Sequence, residues 1–312
     1  LPMYVLLGLP DAALTESRDR VRAALTNCDE VWPNKKTTVS MSPAWLPKSG
    51  SSFDLPIALS ILIASGTVPQ EPIEETIVIG ELALDGTLRA VRGVLPSLIA
   101  AYKAGIMRAI VPEANAREAQ LMTQMQILTF PHLRPLLHWM RTGELHISQS
   151  LELDLEESEQ YLDFSDVAGQ AKARFAAEVA ATGGHHLLLI GPPGTGKTMI
   201  ASRIPTILPE LTLDQSLEVS AVHSISGNFS DRSPLSRCAP IVSPHHTATR
   251  ASLVGGGSHF IKPGAASLAN HGVLFIDEAP ECASGVLDSL RQPLESGTVT
   301  ITRSIGNATF PA

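Results

Sequence analysis

Gly191-Pro192-Pro193-Gly194-Thr195-Gly196-Lys197-Thr198 is the stretch on which the reading of this chain turns. It fits the pattern G-x-x-x-x-G-K-[ST], and its flanks fit as well. His186-Leu187-Leu188-Leu189-Ile190 runs into it as a short apolar strand, and Met199-Ile200-Ala201 runs out of it as the start of a helix. Glycines let the backbone curl so that successive N–H groups point at phosphate oxygens, and the helix start adds partial positive charge. Lys197 is placed to reach the β- and γ-phosphates, and the Thr198 hydroxyl to ligate Mg²⁺. The expectation is a nucleoside triphosphate site, with ATP and Mg²⁺ held by Gly191 through Thr198.

A second segment supports it. His271-Gly272-Val273-Leu274-Phe275-Ile276-Asp277-Glu278 reads as an apolar strand tipped by two acids, the form of a Walker B strand. Asp277 is the expected Mg²⁺ ligand, and Glu278 the expected general base that polarises the attacking water. Lys197 and Glu278 are therefore the expected catalytic residues. A Glu beside the Asp favours hydrolysis over simple nucleotide carriage.

Composition sets the bounds. The 312 residues suffice for about two domains. An apolar fraction of 44% supports real cores. With 23 basic and 31 acidic residues the net charge is −8, so any contact with DNA must be local. Cys28, Cys238 and Cys282 lie far apart and read as free thiols of a reducing cytoplasm. No apolar run approaches the roughly 20 residues needed to span a bilayer, so no membrane is expected. The chain opens at Leu1 without an initiator Met and stops at Ala312 inside a structural unit, which reads as a piece of a longer protein.

Residues 1–143 read as a first, α+β unit: a strand at Tyr4–Leu7, a helix capped by Asp11, and a strand at Thr37–Met41. A helix over Ser52–Ser65, a continuous strand over Thr76–Leu84 and a turn at Asp85-Gly86 follow. Residues 144–162 form an acidic linker, crowded by Glu152, Asp154, Glu156, Glu157 and Glu159. Residues 163–312 form the nucleotide-binding unit, ending in a hairpin over Thr298–Phe310. Between them, 227–268 is loop-rich and carries Pro244-His245-His246-Thr247. No pair of His or Cys sits at a ligand spacing with a matching second pair, so the histidines read as polar loop residues and not as metal ligands.

Pro47-Lys48-Ser49-Gly50-Ser51-Ser52-Phe53-Asp54 resembles the active-site loop of the Lon protease proteolytic domain, with Ser52 at the nucleophile position. Gly80, Glu81, Leu84, Gly86 and Gly93 keep the frame that precedes that family's lysine, but the ungapped match puts Leu95 in its place. Leucine accepts no proton, so a Ser-Lys peptidase is not expected.

Phe164-Ser165-Asp166-Val167-Ala168-Gly169-Gln170 is similar to the stretch that walls the adenine pocket of AAA+ ATPases, which makes Val167 and Gly169 the implied base contacts. Taken in order, a Lon-like front, this stretch, the Gly191–Thr198 loop and Pro244–Thr247 precede Leu253-Val254-Gly255-Gly256-Gly257. His271–Glu278 and Leu290-Arg291-Gln292-Pro293-Leu294-Glu295-Ser296-Gly297 complete the series. The whole resembles the YifB/ComM family of Mg-chelatase-like AAA+ ATPases. The resemblance implies a Lon-protease-like (S5-type) α+β domain, proteolytically inactive, followed by an α/β P-loop AAA+ domain cut before sensor 1. It implies a cytoplasmic homo-hexamer, an insert at about Ser226–Leu268, a hairpin before sensor 1, and a DNA helicase acting in branch migration during natural transformation. Sensor 1, the arginine finger and sensor 2 would lie past Ala312, so the isolated piece is expected to turn over poorly. The rival implication is a chelatase-type ATPase driving metal insertion into porphyrin, which lacks the Lon-like front.

Overall fold

The computed structural model describes residues 4–48, 50–145, 162–227, 229, 237–257, 261–283, 285–303 and 306–312. Residues 146–161 of the acidic linker, Ser49 and Ser304-Ile305 lie outside them. The chain divides into two compact units, Leu1–Asp154 and Leu155–Ala312.

In the first unit, β1 (Tyr4–Leu7) pairs in parallel with β2 (Thr37–Ser40). Between them Asp11 caps α1 (Ala12–Thr15), its Oδ1 accepting from the Leu14 amide at 2.7 Å, and α2 (Ser17–Asn27) follows after a break at Glu16. Helix α3 (Asp54–Ala64) is apolar nearly all round and is buried accordingly. The strand expected over Thr76–Leu84 is two. Strand β3 (Thr76–Val78) joins the parallel sheet, whereas β4 (Glu81–Leu82) forms an antiparallel hairpin with β5 (Leu88–Arg89) around the expected Asp85-Gly86 turn. The break has a local cause at Gly80. Its amide donates to the Ser52 carbonyl and its own carbonyl accepts from the Leu55 amide, so the chain leaves the sheet to hold the start of α3. Helix α4 (Val94–Lys103), β6 (Arg108–Pro112), α5 (Ala116–Ala119), β7 (Gln126–Phe130) and α6 (Leu133–Thr142) complete the unit, with β3, β6 and β7 side by side and parallel. Among the described residues its strand pairs are parallel apart from the β4–β5 hairpin, a more α/β character than the expected α+β.

Its core gathers Leu14, Leu25, Leu55, Leu59, Leu62, Leu82 and Leu133, each essentially without solvent contact. Burying each such side chain contributes about 2 kcal/mol. One charge pair sits in this apolar setting. Arg20 Nε and Nη2 donate to Asp54 Oδ2 and Oδ1 at 2.7 and 2.9 Å, and the Asp54 side chain has no exposed surface. Burial pushes the Asp54 carboxyl above its ordinary range, and the Arg20 hydrogen bond pulls it back only in part.

In the second unit, a capped 3₁₀ turn at Phe164–Asp166 leads to α7 (Ala171–Gly183), then α8 (Lys197–Ala201) and α9 (Leu213–Ser226). Strand β8 (Ile241–Val242), α10 (Arg250–Val254) and α11 (Ala265–Leu268) lie within the segment expected to be loop-rich. Strand β9 (Val273–Leu274), α12 (Arg291–Ser296) and the antiparallel hairpin β10 (Thr298–Arg303)–β11 (Gly306–Pro311) follow. His186–Ile190, expected to be a strand, pairs with no strand among the described residues. The alternation is nevertheless there. Leu187 and Leu189 pack on the small core of Phe164, Val167, Ala177 and Ile200, while Leu188 and Ile190 face away and are 78% and 87% exposed. No helix among the described residues is long and apolar enough to cross a membrane.

Replacing Arg20 by Ala strands a buried carboxylate and should destabilise the chain by roughly 3 kcal/mol at neutral pH. Because the folded-state Asp54 pKa is raised, the native state keeps a proton that the unfolded state releases. Stability therefore falls as pH rises through that window. The loss in Arg20→Ala should be smaller at pH 5 than at pH 7, as read by urea denaturation at both.

Candidate nucleotide site

Two short strands position the site's acids. Strand β9 runs parallel to β8 with Val273 opposite Ile241 and Leu274 opposite Val242, and the ladder is extended by Val273 N–H to Pro240 O (2.8 Å) and Phe275 N–H to Val242 O (2.9 Å). It is shorter than the expected His271–Glu278 strand. His271 has a left-handed backbone (φ 59°) that a strand cannot contain, and its Nε2 meets Glu218 Oε2 at 2.5 Å. Gly272 is required where it stands, since a Cβ there would lie 2.0 Å from the Pro240 carbonyl oxygen. That close approach aims the strand tip.

The Gly191–Thr198 loop is exposed along most of its length. Gly194 and Gly196 both have φ +80°, so the curl comes from left-handed glycines. Thr195 Oγ1 donates to Pro192 O at 2.9 Å, and Gln170 Nε2 braces the loop from outside by donating to Thr195 O at 2.7 Å. Lys197 folds back, its Nζ donating to the carbonyls of Gly191 (2.8 Å) and Pro192 (3.0 Å). At the start of α8, Thr198 Oγ1 donates to Asp277 Oδ2 at 3.0 Å, joining residues far apart in the chain. Asp277 Oδ1 in turn accepts from the Glu278 amide at 3.0 Å.

The donor set suits the group that the sequence implies. A hydroxyl and a carboxylate side by side are the hard oxygens that Mg²⁺ prefers. Among the described residues the amides of Gly196, Lys197 and Thr198 at the start of α8 donate to no carbonyl, and a Cβ built on Gly194 meets nothing within 4 Å. An anion is what such a set of free amides accepts.

Other expected residues fall differently. Val167 has no exposed surface and is a core residue packed with Phe164, Ala177 and Ile200, so its side chain offers nothing to a base; Gly169, at φ +69°, forms the turn before α7. In the first unit Leu95 is fully buried, with its amide donating to Glu118 Oε1 at 2.7 Å. Ser51 Oγ donates to Glu81, and the buried Lys48 ammonium donates to the Met41 and Pro43 carbonyls.

Sequence reasoning missed one group. Glu278 has a left-handed backbone (φ 50°, ψ 41°) that turns its side chain toward His246, whose Nδ1 lies 3.2 Å from Glu278 Oε2, while Glu281 Oε2 lies 4.0 Å from His246 Nε2. The Pro244–Thr247 stretch was visible in the sequence. Its partners come from a distant turn, which local ligand spacing does not reveal.

A glycine-rich loop leading into a helix, held against an acid-tipped parallel strand, has the form of a P-loop fold. The family model described as magnesium chelatase, subunit ChlI, matches residues 163–312, and one described as subunit ChlI of Mg-chelatase matches residues 1–115. An uncharacterized protein of Mycobacterium tuberculosis H37Rv is 47% identical over 312 residues, covering all of this chain and 62% of that protein. Competence protein ComM of Haemophilus influenzae is 41% identical over 316 residues, and YifB of Escherichia coli K12 is 41% identical over 312, each match covering the whole chain and 61% of the relative. A Lon protease of Citrifermentans bemidjiense matches in part, 31% over 129 residues, 36% of this chain and 16% of that protein. The chain belongs to the YifB/ComM family of Mg-chelatase-like AAA+ proteins, and it spans about three fifths of the length of the full-length relatives it matches.

Gly196→Ala should cost about 1–2 kcal/mol for placing an L-residue in the left-handed region. Its methyl would also sit 2.9 Å from Gln170 Nε2, displacing the brace. Thermal denaturation should show the lower midpoint.

Proposed function

We propose that this protein is the ATP-binding and ATP-hydrolysing part of an AAA+ motor. The observation that carries the reading is the 3.0 Å contact between Thr198 and Asp277, which brings the loop and the strand tip to one point. Lys197 exchanges its bonds to the Gly191 and Pro192 carbonyls for triphosphate oxygens, and the amides of Gly194–Thr198 hold the phosphates. Thr198 and Asp277 would hold Mg²⁺, which when bound neutralises charge on the phosphates. Glu278 takes the proton of the attacking water. The backbone beside Gly169 frames the base, since the Val167 side chain is buried.

The motor reading extends to a cytoplasmic homo-hexamer that acts on DNA as a branch-migration helicase in natural transformation. Family membership supports it, as does the description of a 41% identical relative as a competence protein. The net charge of −8 confines DNA contact to local loops. Residues 1–143 are read as a Lon-like domain without peptidase activity. The fully buried Leu95 at the lysine position supports this, because it leaves Ser52 without the partner base that a Ser-Lys mechanism requires.

In the full-length protein, Lys197→Ala should abolish ATP binding, whereas Glu278→Gln should retain binding and slow turnover about a hundredfold or more. Equilibrium binding of a fluorescent ATP analogue and a phosphate-release assay separate the two effects. Normal turnover by Glu278→Gln removes the base assignment. DNA, and not a porphyrin-binding partner, should stimulate ATP turnover of the full-length protein; stimulation by the porphyrin partner alone would favour the chelatase class.

A further inference from the structure

We propose that His246, Glu278 and Glu281 form a second cation site, distinct from Thr198–Asp277, that takes a borderline divalent transition ion such as Zn²⁺. One ligand atom from each of the three lies within 4.8 Å of the others. Both carboxylates come from a single short turn. The Glu281 amide donates to the Glu278 carbonyl at 2.8 Å, and the 3₁₀ helix Ala279–Glu281 carries Pro280 near its start, so the turn is stiff. The imidazole is held from the other side. The Ala248 amide donates to the His245 carbonyl at 2.8 Å, and His245 Nδ1 is bonded to Thr247 Oγ1 at 2.8 Å. The His245 ring lies against that of His246 with centroids 4.0 Å apart.

The donor chemistry selects the ion. An imidazole nitrogen with two carboxylate oxygens is a set that zinc accepts, with a fourth position left for water. Mg²⁺ prefers oxygen alone, which Thr198 and Asp277 supply. The two carboxylates supply the negative charge that a divalent ion balances.

The consequence rests on Glu278 as the general base. An ion held by His246, Glu278 and Glu281 engages that carboxylate and stops it from polarising water. It leaves Lys197, Thr198 and Asp277 free to bind nucleotide. The site is then inhibitory, and it acts on hydrolysis without acting on binding.

The test uses the untagged full-length protein, titrated with Zn²⁺ by calorimetry in the absence of nucleotide, with Co²⁺ absorption as a reporter of nitrogen and oxygen ligation. Wild type and Cys282→Ser should bind a single Zn²⁺ per chain with equal affinity. His246→Ala and Glu281→Gln should each lose about tenfold or more. Circular dichroism checks that each variant is folded, and Glu281→Gln changes only an exposed side chain. Zinc should lower ATP turnover in wild type and less so in the two ligand variants, with ATP-analogue binding unchanged. Wild-type affinity in His246→Ala and Glu281→Gln overturns the proposal, as does a loss confined to Cys282→Ser. Zinc binding at the three residues with no effect on turnover keeps the site and removes Glu278 as the base.

Discussion

The second unit depends on one contact, the hydrogen bond from Thr198 to Asp277. Neither residue would stand there without a backbone constraint remote from both. Gly272 lies so close to the Pro240 carbonyl that no side chain fits, which presses β9 against β8 and fixes the direction of the strand tip. Left-handed glycines at 194 and 196 do the same for the loop by freeing its backbone from the conformations that Cβ sterics enforce. The contact is therefore a product of two places where glycine relieves the backbone, by clearance at Gly272 and by left-handed conformation at Gly194 and Gly196.

The strand tip serves two neighbours. Asp277 faces the loop, and Glu278, with its left-handed backbone, faces His246. A non-glycine residue in that region costs about 1 kcal/mol or more, and strain of this kind is retained where surrounding structure over-determines it. Here the 3₁₀ turn that follows and the hydrogen bond from the Glu278 amide to Asp277 Oδ1 provide that structure. Adjacent acids thereby serve different groups.

The first unit follows a different logic. Its core is a leucine-rich cluster around α3, and a buried ion pair, Arg20 with Asp54, ties α2 to the start of α3. Burial raises the cost of that carboxylate while the bidentate guanidinium lowers it, and the balance makes the pair indispensable once present. The positions that resemble a peptidase loop are occupied by structural contacts: Ser51 on Glu81, Lys48 on backbone carbonyls, Leu95 in the core.

Much of this was legible in the sequence, because it is carried by local chemistry. The loop at Gly191–Thr198, the Asp11 cap, the Asp85-Gly86 hairpin and the β10–β11 hairpin are each written within a few residues, where turn sterics and alternation act. Other features were not local. The break at Gly80 arises from α3, the shortened β9 from His271 and its acidic partner Glu218, and the burial of Val167 from packing by Ile200 and Ala177. His186–Ile190 keeps the alternation of a strand yet finds no partner among the described residues, since alternation sets which side chains face inward and only a neighbouring backbone makes a ladder. The sequence by itself set which residue types stand at the glycine-rich loop and at the strand tip. Only the tertiary structure decided that Glu278 shares its surroundings with His246 and Glu281, because a left-handed turn and a distant loop had to converge before those side chains could meet.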